Sequence, residues 1–306
     1  MLMEFLHTQW FRLKARFKEA FPRLHAKLPA LVELTRLNKP IGIYLLLWPT
    51  ITALWIASEG MPTIKLLFIF VLGTGLMRSA GCSVNDFADY RFDGLVERTQ
   101  GRPLATGMLT RMDALYCFGA LALAGFLLVL FTNLATVYLS IAGVALAALY
   151  PFMKRFTNLP QVVLGVAFSW GILMAFTAVD ETVPQPAYLL FIANLIWIVA
   201  YDTEYAMVDR EFDKEIGIKS TAILFGDADK YIIAMLQFMF IIAMWLAGRQ
   251  FDMGSAYFVS LVAAAVLLAY QQYLIRDRVP GQCFKAFLNN NWVGAAIFVG
   301  VFLNYL

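Results

Sequence analysis

Residues 85–93 read NDFADYRFD and stand where a strongly apolar run gives way to a polar loop. If the helix implied by that run continues through them, Asp86, Asp89 and Asp93 fall at i, i+3 and i+7 and share one face, which Asn85 joins. Three carboxylates crowded at a helix end repel one another, so the arrangement favours a bound cation. An all-oxygen donor set suits a hard divalent ion such as Mg2+. A lone DxxD is equally compatible with a solvated helix end, so the surrounding chain has to decide.

That surrounding chain is apolar. Of 306 residues, 61% are hydrophobic and 15% charged, with a mean hydropathy of +0.69. These values exclude an ordinary soluble domain and indicate an all-α, polytopic membrane protein with no nucleic-acid partner. Apolar runs near the ~20 residues needed to cross hydrocarbon recur over residues 41–58, 66–84, 114–132, 135–152, 161–179, 187–206, 231–248, 255–275 and 289–306. About nine transmembrane helices are therefore expected. All Lys and Arg except Lys65, Arg249 and Arg78 precede the first run or lie in alternate loops on one side. The positive-inside rule places the N-terminus and the long loops, NDFADYRFD included, in the cytoplasm. Cys82, Cys117 and Cys283 are scattered, so no disulfide framework or thiolate site is expected. Both histidines, His7 and His25, lie near the N-terminus, leaving no imidazole for a metal in the membrane body.

Residues 1–35 form a separate N-terminal segment preceding the membrane domain of residues 36–306. Trp10, Leu13, Phe17, Phe21, Leu24 and Leu28 recur at helical spacing with basic residues between them. This pattern suits a basic amphipathic helix lying on the bilayer or on the protein's own cytoplasmic face, with Pro22 as a kink or break. Glu4, Glu19 and the lack of serine argue against a transit peptide. Arg36 and Lys39 stand at the mouth of the first span, where snorkelling to head groups alone accounts for them equally well.

Several charged residues then mark candidate chemistry. Arg78, two turns before Asp86, is an arginine inside a span, which is costly unless it pairs or faces a polar cavity. The loop GLVERTQGRPLATG, residues 94–107, brings Arg98 and Arg102 beside the carboxylates, and guanidinium forks suit phosphate. Lys154 and Arg155 lie between the fourth and fifth runs, where topology anchoring also explains them. The sixth run leads into YDTEYAMVDREFDKEIGIKST, residues 201–221. There Asp209 and Asp213 lie seven and eleven residues beyond Asp202, each within about 20° of it around a continuous helix. Lys214 and Lys219 follow. A span ending in an acidic extension thus occurs twice, four spans apart. This implies two pseudo-repeated four-helix halves plus one helix, around a central cavity open to the cytoplasm and laterally to lipid. An ion-coupled transporter would also use intramembrane acids and a repeat, but these acids sit at span ends and the repeat is parallel.

NDFADYRFD resembles the NDxxDxxxD motif of the UbiA-type intramembrane prenyltransferases, and DREFD, residues 209–213, resembles their DxxxD. RLNKPIGIYLLLWPT, LYPFMKRFTNLPQVVLG and the stretch from Tyr201 to Gly226 look like those members that prenylate 4-hydroxybenzoate in ubiquinone synthesis. Relatives acting on naphthoate, homogentisate or haem carry similar acidic motifs. The resemblance covers residues 36 to about 226 and implies a bacterial inner-membrane enzyme that joins a polyprenyl chain from its diphosphate to the ring carbon ortho to the hydroxyl. It further implies Mg2+ held by Asn85, Asp86, Asp89, Asp93, Asp209 and Asp213, with the five aspartates as catalytic groups. Arg98, Arg102, Lys214 and Lys219 would stabilise the departing diphosphate, and Asp202 would lie among the substrate-binding groups. Tyr205 is the expected aromatic cavity residue, and Arg155, or else Arg78, the partner of the acceptor's carboxylate. A lipid-soluble donor would enter sideways from the bilayer.

Overall fold

The computed structural model describes residue 18, residues 22–95 and residues 98–306. Trp10, Leu13, Phe17 and Phe21 of the expected amphipathic helix lie outside the described residues. Among the described residues every regular element is helical: α1 (Pro22–Leu34), α2 (Ile41–Ala57), α3 (Ile64–Asp89), α4 (Arg111–Val129), α5 (Leu134–Met153), α6 (Pro160–Asp180), α7 (Gln185–Ala206), α8 (Arg210–Glu215), α9 (Thr221–Phe225), α10 (Asp229–Gln250), α11 (Ser255–Ile275) and α12 (Pro280–Asn304). Two single 3-10 turns, Asp93–Leu95 and Gly226–Ala228, complete the set.

Each of the nine apolar runs lies on one of these helices. Eight helices, α3 to α7 and α10 to α12, are long and apolar enough to cross a membrane, and α2 is apolar but only 17 residues long. Local signals set their starts. Thr63 accepts from the Leu66 amide at 3.3 Å, Asn133 from the Thr136 amide at 3.0 Å, and Thr110 and Asp113 form a reciprocal capping box. Pro160 and Pro280 open α6 and α12, where a missing N–H costs nothing.

The helices close into a ring in which α2 packs on α3, α6 and α12, while α7 packs on α6, α10 and α12. Close approach needs small residues, as is usual where helices meet without water. Gly294 of α12 faces Trp48 of α2, and a Cβ there would stand 2.8 Å from the Trp48 side chain. The main apolar core runs through the ring, with Trp197 stacked on Phe240 at a centroid distance of 5.4 Å. Outside it, α1 docks against the start of α4. Its Ala30 and Leu34 pack with Leu104, Leu109 and Ala114, and Lys27 pairs with Asp113 at 2.7 Å. The described part of the N-terminal segment therefore packs on the protein itself.

Two expectations about continuity are corrected. α3 ends at Asp89, and Asp93 begins the separate 3-10 turn, so the three aspartates of the first stretch are not on one helix. Likewise α7 ends at Ala206 and the chain turns before α8, so Asp202, Asp209 and Asp213 do not form a single stripe. The physical reason lies in residues 209–213. Asp209 takes the N-cap position, and Glu211 and Asp213 fill the first turn of α8, where negative charge favours a new helix start over continuation of the old one.

Candidate active site

The acidic stretches meet through basic partners. Asp86, on the last turn of α3 and only 2% exposed, accepts from Arg36 Nη2 at 2.9 and 3.0 Å and from Arg102 Nη1 at 3.1 Å. The same Arg102 nitrogen donates to both oxygens of Asp93 at 2.8 and 2.9 Å. Arg102 thus returns Asp93 to the site although the helix has ended. Asp89 takes Lys154 Nζ on Oδ2, while its buried Oδ1 has no hydrogen-bond partner among the described residues. Arg98 joins the two halves: Nε donates to both oxygens of Asp209 at 3.1 Å, Nη2 also reaches Asp209, and Nη1 donates to the Tyr205 hydroxyl. The guanidinium carbon lies 4.9 Å from the Tyr205 ring centroid.

Five carboxylates (Asp86, Asp89, Asp93, Asp209 and Asp213) therefore face four cations (Arg36, Arg98, Arg102 and Lys154). Burial pushes the Asp93 carboxyl up to about 6, with Arg102 pulling it down and Asp86 and Asp89 pushing it up. Burial and then the neighbouring Asp209 charge push Asp213 up to about 6, against Lys154 and Arg98. Arg36 itself has φ +58°, an uncommon left-handed backbone for a non-glycine residue, and donates to the Glu33 carbonyl at 2.7 Å. Among the described residues no three acidic side chains are drawn together into a closed metal cage. The donor set still fits a hard divalent ion, because it is all oxygen and includes the unpartnered Asp89 Oδ1.

An apolar cavity of about 140 Å³ lies beside this cluster, lined by α2 to α6 and the turn after α4. Arg78, Gly81 and Tyr150 line it near the acidic end, and Asn85 donates to the Tyr150 hydroxyl at 3.2 Å. Along α5 its lining extends from Tyr150 back to Thr136, a run of about 20 Å at 1.5 Å per residue. Arg78 is buried against Gly42, with its guanidinium carbon 5.6 Å from the Phe168 ring centroid and its Nε unpartnered.

Residues 46–297 match the UbiA prenyltransferase family. The chain belongs to the UbiA family. It is 59% identical over 281 residues to a 4-hydroxybenzoate octaprenyltransferase of Hahella chejuensis, covering 92% of this chain and 94% of that protein. It is 56% identical over 290 residues to another of that name from Ectopseudomonas mendocina, covering 95% and 98%. A UbiA homologue from Aeropyrum pernix K1, solved in its apo form, shares the fold with a TM-score of 0.76 at 23% identity, covering 87% of this chain and 98% of that one. A UbiA homologue from Archaeoglobus fulgidus, solved with GPP and Mg2+, has a TM-score of 0.66 at 17% identity, covering 90% and 99%. The protein is thus a multi-pass membrane prenyltransferase with a UbiA fold.

Within this UbiA fold the remaining expected residues are dispersed. Asp202 has Gln161 and Arg78 as polar neighbours rather than Asp209, as follows from the break after α7. Tyr205 orients Arg98 and packs on Phe287 at a centroid distance of 4.8 Å. Arg155 Nη2 donates to the Ala88 carbonyl at the end of α3. Lys214, on the outer face of α8, pairs with Glu211 at 2.9 Å, and Lys219 donates to the Phe156 carbonyl at 3.4 Å. Neither lysine is paired with the clustered aspartates: Lys214 turns to Glu211 on α8, and Lys219, beyond that helix, turns to the loop between α5 and α6. Lys154 and Arg36, for which the sequence left anchoring as an equally good account, are the cations on Asp89 and Asp86. Sequence reading missed Glu204 altogether. It is fully buried and accepts from Gln237 at 3.2 Å and Asn290 at 3.0 Å. An unpaired acid within a span was the signal that marked it.

Proposed function

We propose that the chain transfers a polyprenyl group from polyprenyl diphosphate to 4-hydroxybenzoate, at the ring carbon ortho to the hydroxyl, releasing diphosphate in ubiquinone biosynthesis. The observation that carries this reading is the Arg98–Asp209 pairing, which joins the two acidic stretches beside an apolar cavity. The choice of acceptor rests on the relatives of that name.

Asn85, Asp86, Asp89, Asp93, Asp209 and Asp213 are the residues that would hold Mg2+. When bound, the ion supplies Lewis-acid neutralisation of the diphosphate. The chain's own cations do the rest. Arg98, Arg102, Arg36 and Lys154 are held on carboxylates, and each would be free to meet a phosphate oxygen were its carboxylate to hold the metal. They then stabilise charge developing as the allylic C–O bond breaks. Tyr150 and Phe168 offer aromatic faces to the allylic cation, and the apolar lining keeps water from it. The cavity along α5 accommodates the prenyl tail. Arg155 is the proposed partner of the acceptor's carboxylate, with Arg78 second. Attack by the ortho carbon and loss of its proton restore the aromatic ring. The acidic ends face the cytoplasm of a bacterial inner membrane, as the positive-inside distribution supports.

The test is direct. Purified protein with Mg2+, a polyprenyl diphosphate and labelled 4-hydroxybenzoate should yield a lipid-soluble labelled product. Failure with 4-hydroxybenzoate but turnover of a naphthoate or homogentisate would move the acceptor. No turnover of any of them would reject the enzyme reading.

A further inference from the structure

Asp229 begins α10, remote from the cavity lining, and is 0% exposed. Its carboxylate accepts from Arg278 Nε at 3.0 and 3.1 Å, Arg278 Nη2 at 2.8 Å, Arg210 Nη1 at 2.9 Å and the Lys230 amide at 2.6 Å. Arg278 also donates to the Asp227 carbonyl at 2.8 Å and has φ +54°. A non-glycine backbone in that region is held there by its surroundings. Three segments (the start of α8, the start of α10 and the α11–α12 turn) therefore converge on one carboxylate. Breaking a buried, multiply bonded charge is expensive.

Arg210 directly follows Asp209. None of the six residues of α8 is buried, so apolar packing does not hold this short helix in place. Its tethers are polar: Arg98 to Asp209, the Ile218 amide to the Asp213 carbonyl at 2.9 Å, the Lys219 amide to the Lys154 carbonyl at 3.2 Å, and Arg210 to Asp229. Arg98 is the group the reaction draws away to the diphosphate. When it leaves, Arg210–Asp229 is the remaining side-chain tether among the described residues at the N-terminal end of α8.

We propose that Asp229 is a positioning residue for the second acidic motif, holding α8 through Arg210 so that Asp209 and Asp213 keep their place while Arg98 exchanges partners. This rests on the reading of Asp209 and Asp213 as the groups that meet the metal and diphosphate. Arg210→Gln is the cleanest test, because Asp229 keeps Arg278 and the Lys230 amide. Asp229→Asn is the companion, retaining a residue suited to a helix start.

Hydrogen–deuterium exchange on the full-length protein in lipid nanodiscs, without substrate, should show residues 207–220 exchanging roughly tenfold faster in Arg210→Gln. Residues 80–95 should be unchanged. In steady state, the KM for the prenyl diphosphate and the Mg2+ concentration for half-maximal rate should rise several-fold, the KM for 4-hydroxybenzoate should hold, and Arg210→Lys should recover part of the loss. Unchanged exchange over residues 207–220 in Arg210→Gln overturns the proposal, as does an equal rise in both KM values. If Asp229→Asn does not fold, Arg210→Gln alone decides. The exchange result does not depend on which reaction is catalysed, so a wrong acceptor leaves it standing.

Discussion

Asp89 offers the site one buried oxygen without a partner while Lys154 occupies the other, and Asp209 is bound twice over by Arg98. Each removes a proposed metal ligand if truncated, and neither is part of the apolar core. Asp89→Ala and Asp209→Ala should therefore cut turnover by at least roughly 100-fold. Both should still elute as folded protein, checked by size exclusion and circular dichroism. Arg155 needs a finer measurement. Its bond to the Ala88 carbonyl puts a guanidinium at the end of α3, next to the acidic cluster but off its carboxylates. Arg155→Ala should raise the KM for 4-hydroxybenzoate several-fold, since an exposed guanidinium's charge-assisted hydrogen bonds to the acceptor's carboxylate would be lost. The KM for the prenyl diphosphate should change little. Arg155→Lys should recover only part, because an ammonium has no planar fork. Equal effects on both KM values would reassign the acceptor's carboxylate to Arg78.

At the level of helices, the spans were legible because a membrane demands long apolar runs whatever packs beside them. The ends were not. The 3.6-residue period carried Asp93 and Asp209 onto helices that in fact stop at Asp89 and Ala206, since periodicity cannot register where a new N-terminus becomes favourable. Nor could spacing reveal that Lys154, sixty-five residues away, would take Asp89. Such pairs depend on packing alone. The same blindness hid the polar seam through α7, α10, α11 and α12. There Trp197 donates to Asn290 at 2.7 Å, Asn290 to Glu204, and Gln237 to both Glu204 and Gln271, the last at 2.9 Å. Glu204→Leu should take one acceptor each from the Asn290 and Gln237 amides, which keep Ala286 and Gln271, and cost about 1–3 kcal/mol in all. Glu204→Gln, which keeps an acceptor and the shape, should cost less. Thermal unfolding of the three proteins in one detergent orders them.

For the molecule as a whole, α2 to α7 and α10 to α12 provide an odd number of crossings if the 17-residue α2 also spans. Its short length is tolerable because most of it is covered by neighbouring helices. A reporter fused at the N-terminus should then read cytoplasmic and one at the C-terminus periplasmic. Both on one side would show that α2 or another helix does not cross. The charge pairing in the site has a thermodynamic consequence. On the proposed assignment, Mg2+ arriving alone would have to strip carboxylates from Arg36, Arg98, Arg102 and Lys154 and leave those cations facing one another. Diphosphate arriving alone would have to strip the cations and leave the carboxylates in the same position. Arriving together, each ligand satisfies what the other displaces, so the two should bind with positive heterotropic cooperativity. Linkage makes that coupling reciprocal. Calorimetric titrations should find Mg2+ tightened by a non-reacting diphosphate analogue, and the analogue tightened by Mg2+, by the same factor of roughly 5–150. An enzyme built on the proposed site would stay closed to free metal and free diphosphate alike, and would commit its charges only to the pair.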